Sequence, residues 1–316
     1  MPLTVNRIVS GAALLVGLLL VAGAIAVGPM VYRVTIGLKR YETSPPILPA
    51  GLTDKAVLIF SKTNGFRDDA QIKAANAAIA NIARENGWSS YVTENGAVFN
   101  PAQLKRFRVV VWNSVSGDVL TQAQREAFKT WLEAGGGFVG LHGAGGDPKY
   151  AWTWYVDDLI GAQFIGHTMG PQFQRATILI EDPNHPATRG LGSAWARTDE
   201  WYSFAVNPRL KGYHILARLD ESSYRPWMRL LPFGRGKDIR MGPDHPIVWS
   251  HCVGGGRAVY SALGHSPSTY SEPKHLQLIR GAMSWAAGFE GPPCANDAGR
   301  IARAVQTAQP GSRKDF

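Results

Sequence analysis

Three short apolar runs most constrain how this chain can fold: "AVLIF" at 56–60, "RVVVWNS" at 108–114 and "GFVGLH" at 137–142. None alternates polar with apolar, so each predicts a strand buried on both faces. Helical patterns separate them. In "DDAQIKAANAAIANIARENG" (68–87), Ile72, Ala75, Ile79, Ile82 and Ala83 recur at helical spacing, with acids at the start and Gly87 as the stop. "SSYVTEN" (89–95) reads as a further strand. "TQAQREAFKTWLEAGGG" (121–137) is a second helix, opened by a Thr121–Gln124 capping box and closed at Gly135. Buried strands alternating with helices predict an α/β fold: a doubly wound sheet covered on both faces.

Such sheets bind ligands beyond the C-terminal ends of their strands. Ser61, Lys62, Thr63 and Asn64, then Asn113 and Ser114, and finally His142 all fall at those ends. His142 lies in "GGGFVGLHGAGG" (135–146), a glycine-bracketed elbow of the kind that exposes a nucleophilic Ser or Cys in some α/β enzymes. The second half is less regular. "RATILIE", "YHILARL", "PIVWSHCV" and "RAVYSALG" are strand-like, the glycines at 254–256 read as a hairpin turn, and 275–288 closes the domain as a helix.

Residues 8–31 carry no charge and are long enough to cross a bilayer. "AIA" at 24–26 resembles a signal-peptidase site, but the apolar run exceeds a usual signal core, which favours an uncleaved anchor. The predicted organisation is an anchor over 1–33, a Pro-rich linker over 34–54, a domain over 55–288 and a disordered tail over 289–316. This makes the chain a single-pass membrane protein. The side of the soluble domain stays open, because Arg33, Lys39 and Arg40 outnumber the leading Arg7.

The net charge of +9 sits in the anchor flanks, the segment 225–240 and the tail. That scatter does not make a nucleic-acid groove. The two glycine triplets fit neither nucleotide-binding pattern, so no nucleotide is expected. Cys252 in a strand-like run and Cys294 in the tail suggest neither a disulfide framework nor a thiolate zinc site.

Six blocks in order, "VLIFSKTNGFRDD", "GGGFVGLHGAGG", "GAQFIGH", "DPNHPATRGL", "TDEWYSF" and "HPIVWSHCVGGGRAVYSALGHS", resemble the ThuA-like domain named for trehalose utilisation. The resemblance implies the class I glutamine amidotransferase-like fold, a flavodoxin-like doubly wound sheet, and a carbohydrate substrate such as a modified disaccharide. In amidotransferases the elbow holds a catalytic cysteine. His142 stands at or beside that point here, which excludes thioester chemistry and hence glutamine amidotransfer.

Of eight histidines, His185 and His245 precede prolines in turn-like stretches, and His214 and His275 open a strand and a helix as surface or capping residues. His251 reads equally as a core residue. His142, His167 and His265 lie at strand ends or in glycine-flanked turns. In "TDEWYSF" an extended chain puts Glu200 and Tyr202 on one face and Asp199 and Trp201 on the other. The expected catalytic residues are His142, Glu200 and Tyr202, with Lys62, Asn64, Asn113 and Trp201 binding substrate. His142, His167, Glu200 and His265 are the candidate ligands of a divalent metal such as zinc. The same groups also suit acid–base catalysis without metal, and spacing does not decide between them. A hydrolase- or lyase-type step on a sugar, a non-catalytic carbohydrate-binding domain and a partner-binding scaffold all fit this pattern. Oligomeric state is not legible.

Overall fold

The computed structural model describes residues 2–147, 150–229 and 234–294. The apolar runs form β1 (Val57–Phe60), β3 (Val109–Asn113) and β4 (Gly137–Leu141), and the chain between the first two supplies β2 (Ser90–Thr93). The remaining strands are β5 (Phe164–His167), β6 (Phe173–Ile180), β7 (Ala194–Glu200), β8 (Tyr202–Phe204), β9 (His214–Asp220), β10 (Trp227–Met228), β11 (Lys237–Asp238), β12 (His245–Val253) and β13 (Gly256–Ser261). Nine of them make one sheet in the order β2-β1-β3-β4-β13-β12-β9-β6-β7. From β2 to β13 the neighbours run parallel; from β13 to β7 every pairing is antiparallel. The expected doubly wound parallel sheet is therefore the first half of a larger mixed one. β5 and β8 form a separate ribbon.

Side-chain alternation on β3 shows how both faces are covered. Trp112 stacks on Phe128 of α4 (Gln122–Glu133), while the next residue, Asn113, bonds to the Ile72 carbonyl of α2 (Asp69–Glu85) on the opposite face. α2 packs beside α5 (Pro273–Ala286), and the short α3 (Pro101–Leu104) packs on α4. Phe128 is fully buried among Phe99, Trp112 and Phe138, so Phe128→Ala would cost about 3–5 kcal/mol. The capping box forms as predicted: Thr121 Oγ1 accepts from Gln124 N, and Gln124 Oε1 from Thr121 N.

The N-terminal helix α1 (Pro2–Thr35) departs from a straight span. Among the described residues no single helix is long and apolar enough to cross a membrane. Ala13–Ile25 and Val27–Thr35 satisfy the requirement only as a pair, bent by 43°. Pro29 accounts for the bend, because its ring crowds the carbonyl four residues back, that of Ile25, and it offers no N–H. The following segment is no free spacer. Gln124 Nε2 bonds to Glu42 O (2.7 Å), Asn95 Nδ2 to Ser44 O (3.1 Å) and Gln103 Nε2 to Pro46 O (2.6 Å).

Cys252 and Cys294 form a disulfide across 42 residues, contrary to expectation. After α5 the chain returns to the sheet and buries Cys294 against Gly256, so the expected disorder does not begin at residue 289. Residues 295–316 of that call lie outside the described residues. His275 is wholly buried rather than capping at the surface, with Nδ1 against Arg197 (3.3 Å). His245 is likewise buried, opening β12 and bonded to Glu221 (2.7 Å) and the Tyr202 carbonyl (2.8 Å). In the basic segment 225–240, β10 and β11 pair antiparallel.

Candidate active site

β4 ends in the elbow, and His142 takes a left-handed φ of +47°. A non-glycine residue there stores roughly 1–3 kcal/mol of strain, which the surroundings must over-determine. Tyr260 Oη donates to the His142 carbonyl (2.8 Å), and His142 Nδ1 bonds to the Ala262 carbonyl (3.0 Å). The second bond requires the proton on Nδ1, so Nε2 presents a lone pair to the site. The following glycines make room for rings. A Cβ at Gly145 would stand 2.5 Å from the Tyr260 ring, and one at Gly146 would stand 2.8 Å from the Tyr202 ring.

Three ligand atoms meet in front of this elbow. His142 Nε2 lies 3.0 Å from His265 Nδ1 and 3.5 Å from Glu200 Oε2, and His265 Nδ1 lies 3.0 Å from Glu200 Oε2. His142 and Glu200 are buried, and His265 is half-buried. Tyr202 Oη donates to His142 Nε2 (3.0 Å), and burial raises its phenol far above the ordinary range, so it stays a proton donor. Burial opposes the charge on Glu200. The imidazoles of His142, His265 and His167 packed around it outweigh that burial and hold the carboxyl well below the usual range. For His265 burial acts to lower the basicity, and Glu200 overcomes it, for a net rise.

Surrounding groups fix the donors. Gln172 Nε2 bonds to Glu200 Oε1 (2.5 Å), and His167 Nδ1 lies 3.0 Å from the same oxygen and 2.9 Å from the Thr168 carbonyl. His167 therefore stands on the far oxygen of Glu200, outside the triangle of donors. Asp199 gathers the backbone N–H groups of Gly264 (2.9 Å) and His265 (3.2 Å), and Arg197 lies 3.3 Å from it. The loop carrying His265 is thus tied to β7.

The expected substrate-binding residues are elsewhere. Lys62 Nζ is paired with Glu42 (2.5 Å), and Asn64 Nδ2 bonds to the carbonyls of Arg40 and Asp118. Asn113 is buried and accepts from Gln71 Nε2 (3.2 Å), which also reaches the Gly264 carbonyl; it supports the His265 loop from behind. Trp201 is fully buried with its indole N–H on the Gln174 carbonyl (2.8 Å), facing away as the alternation required. His251 bonds to the Leu159 carbonyl (2.8 Å) and stacks on Tyr213, a structural role. Gln172, Arg197 and Asp199 were not assigned from sequence. Asp199 had a signal in its neighbour Glu200, and Gln172 had none.

A search of curated proteins found no match. Among solved structures, a ThuA-like protein from Bacteroides uniformis is similar at 25% identity and TM-score 0.61, covering 77% of this chain and 95% of its own. A ThuA-like protein from Parabacteroides merdae shares the fold at 15% identity and TM-score 0.56, covering 76% and 92%. The family model described as trehalose utilisation matches residues 56–286. That match spans well over half of the sequence, and the chain belongs to the ThuA family.

Proposed function

We propose that this protein processes a carbohydrate by a hydrolase- or lyase-type step at a divalent metal held by His142, Glu200 and His265. One observation carries the reading. Zinc–ligand bonds of about 2.0–2.1 Å give a tetrahedral edge of roughly 3.3–3.4 Å. The three donor–donor distances of 3.0, 3.0 and 3.5 Å bracket that edge. Two imidazole nitrogens and one carboxylate, with no thiolate, suit zinc with an open position. The Ala262 carbonyl on His142 Nδ1 is the outer partner that metal-binding histidines use to aim the other nitrogen. A bound ion there would supply a lowered pKa for water or polarise a carbonyl. Glu200 stays ionised, Gln172 and His167 hold its second oxygen, and neutral Tyr202 is placed to donate a proton beside the same centre.

The test is metal content of the full chain purified in detergent, without chelator or histidine tag. About one ion per chain is expected, as in catalytic zinc sites. His142→Ala and Glu200→Gln should both lose it. Protein that takes up no zinc on reconstitution would sink the metal reading.

The membrane reading rests on α1, where Leu14, Leu18, Leu19, Leu20 and Ile25 are more than half exposed. In this reading the two bent segments would enter the bilayer together, and the disulfide favours a domain on the oxidising side. Alkylation of intact cells tests this: trapped free Cys252 and Cys294 would contradict it, and protected cysteines released only by reductant are expected.

A further inference from the structure

The bonds at the end of α1 fix which edge of the domain lies beside it. Leu38 N donates to the Asn64 carbonyl (2.6 Å), and Arg33 Nη2 donates to the Thr63 carbonyl (3.1 Å). Both acceptors lie in the loop after β1. Leu38 is three residues beyond Thr35, the last of the helix, a reach of at most about 10 Å. The three donors stand on the same edge. β1, β3 and β4 are parallel neighbours, so with strands about 4.8 Å apart the His142 elbow lies roughly 10 Å along from the end of β1. The loop after β1 also reaches the donors directly, with Asp68 Oδ2 3.8 Å from His265 Nε2. His142 and Glu200 are buried and His265 is half-buried, so the way in passes His265. Phe66, two residues before Asp68, is 42% exposed, and so is Phe173, whose ring lies 5.3 Å from that of His265. Among the described phenylalanines these two alone are exposed. Lys39 and Arg40, just beyond α1, are exposed as well.

We infer that this edge of the domain rests on the bilayer that α1 enters, with Phe66 and Phe173 in the phospholipid headgroup layer on two sides of His265. The tether is too short for any other edge. A domain bonded to the end of its own anchor through Thr63 and Asn64 keeps the loop after β1 beside the membrane surface. The side chains there suit that place. Aromatic rings are favoured at the boundary between headgroups and acyl chains, and Lys39 and Arg40 meet anionic headgroups within reach of their field. One exposed ring would carry no meaning. Two of them beside the way in, on the edge that holds the anchor, make a surface with a direction. The opening to the three donors then faces the headgroup layer, and the opposite edge, where α2 ends at Glu85, faces away from it. This inference rests on the membrane reading of α1 given above.

The test is quenching of a fluorophore by a lipid spin-labelled at its headgroup, with the full chain in vesicles of phosphatidylcholine and phosphatidylglycerol. The native cysteines are joined to each other, so one introduced cysteine carries the label. The four variants are Tyr32→Cys at the end of α1, Phe66→Cys, Phe173→Cys, and Glu85→Cys on the opposite edge. All four side chains are exposed, so the melting temperature should not move. Fluorescence should be lost at positions 32, 66 and 173 and kept at position 85. Loss at position 32 with none at 66 or none at 173 would overturn the orientation and leave the anchor reading standing. Loss at position 85 as strong as at 66 would overturn the orientation as well. No loss at position 32 would overturn the anchor reading and the orientation together.

Discussion

Two stretches of the same sheet edge have been put to opposite uses. At the ends of β1 and β3 the polar groups are consumed by the chain itself. Lys62 is paired with Glu42, Asn64 is bonded to Arg40, and Tyr41 reaches Asp118 (3.1 Å). At the ends of β4, β13 and β7 the polar groups turn toward one another, and three lone-pair donors crowd within 4.8 Å. The ligand edge of an α/β sheet is thus a place where groups are available, not a guarantee that they are used. What separates the two stretches is compensation: each contact named for residues 40–46 joins a donor to an acceptor, whereas the second stretch gathers acceptors around few protons.

That contrast can be broken from either side. The largest effect should come from the donor cluster: His142→Ala, Glu200→Gln or His265→Ala should weaken zinc binding by more than about 100-fold, beyond what loss of an outer partner costs. Competition with a colorimetric chelator measures it, and melting temperature should fall little. Glu42→Gln should do the reverse. It leaves Lys62, 6% exposed, without its carboxylate, and because Glu42 is 38% exposed the loss should be only about 1 kcal/mol, or 2–4 °C in melting temperature. Zinc affinity should not change. If Glu42→Gln lowered zinc affinity, the two stretches would be one site.

The last prediction is a control remote from both. His185 is buried beside Trp285, and burial lowers its pKa from the ordinary 6.5 to about 4. Its Nδ1 accepts from Ala187 N (3.1 Å), so the folded state refuses the proton that the unfolded state takes. Below pH 6.5 and down to about 4, the unfolded chain binds more protons, and stability falls as pH falls, by at most about 1.4 kcal/mol per unit. Urea midpoints across that window should decline less in His185→Gln than in the unsubstituted chain.

The parallel half was legible because local signals carry it: apolar runs for β1, β3 and β4, and the cap at Thr121 for α4. The elbow announced His142, and strand alternation put Glu200 and Tyr202 on one face with Trp201 turned away. What escaped was contact between distant segments. His142 meets His265 across 123 residues, and no local motif records that. The linker over 34–54 was read as a spacer because prolines look alike in a free linker and in one hydrogen-bonded along the domain. Cys294 looked like tail because its partner is 42 residues away on a strand. His167, expected among the donors, lies on the far oxygen of Glu200, and no sequence pattern records which carboxylate oxygen it meets.

The most direct measurement is anomalous diffraction at the zinc edge from crystals of the full chain grown with zinc. The account predicts a single peak within about 2.0–2.2 Å of His142 Nε2, His265 Nδ1 and Glu200 Oε2. No peak there, with the three donors still hydrogen-bonded to one another and zinc bound elsewhere or not at all, would contradict it.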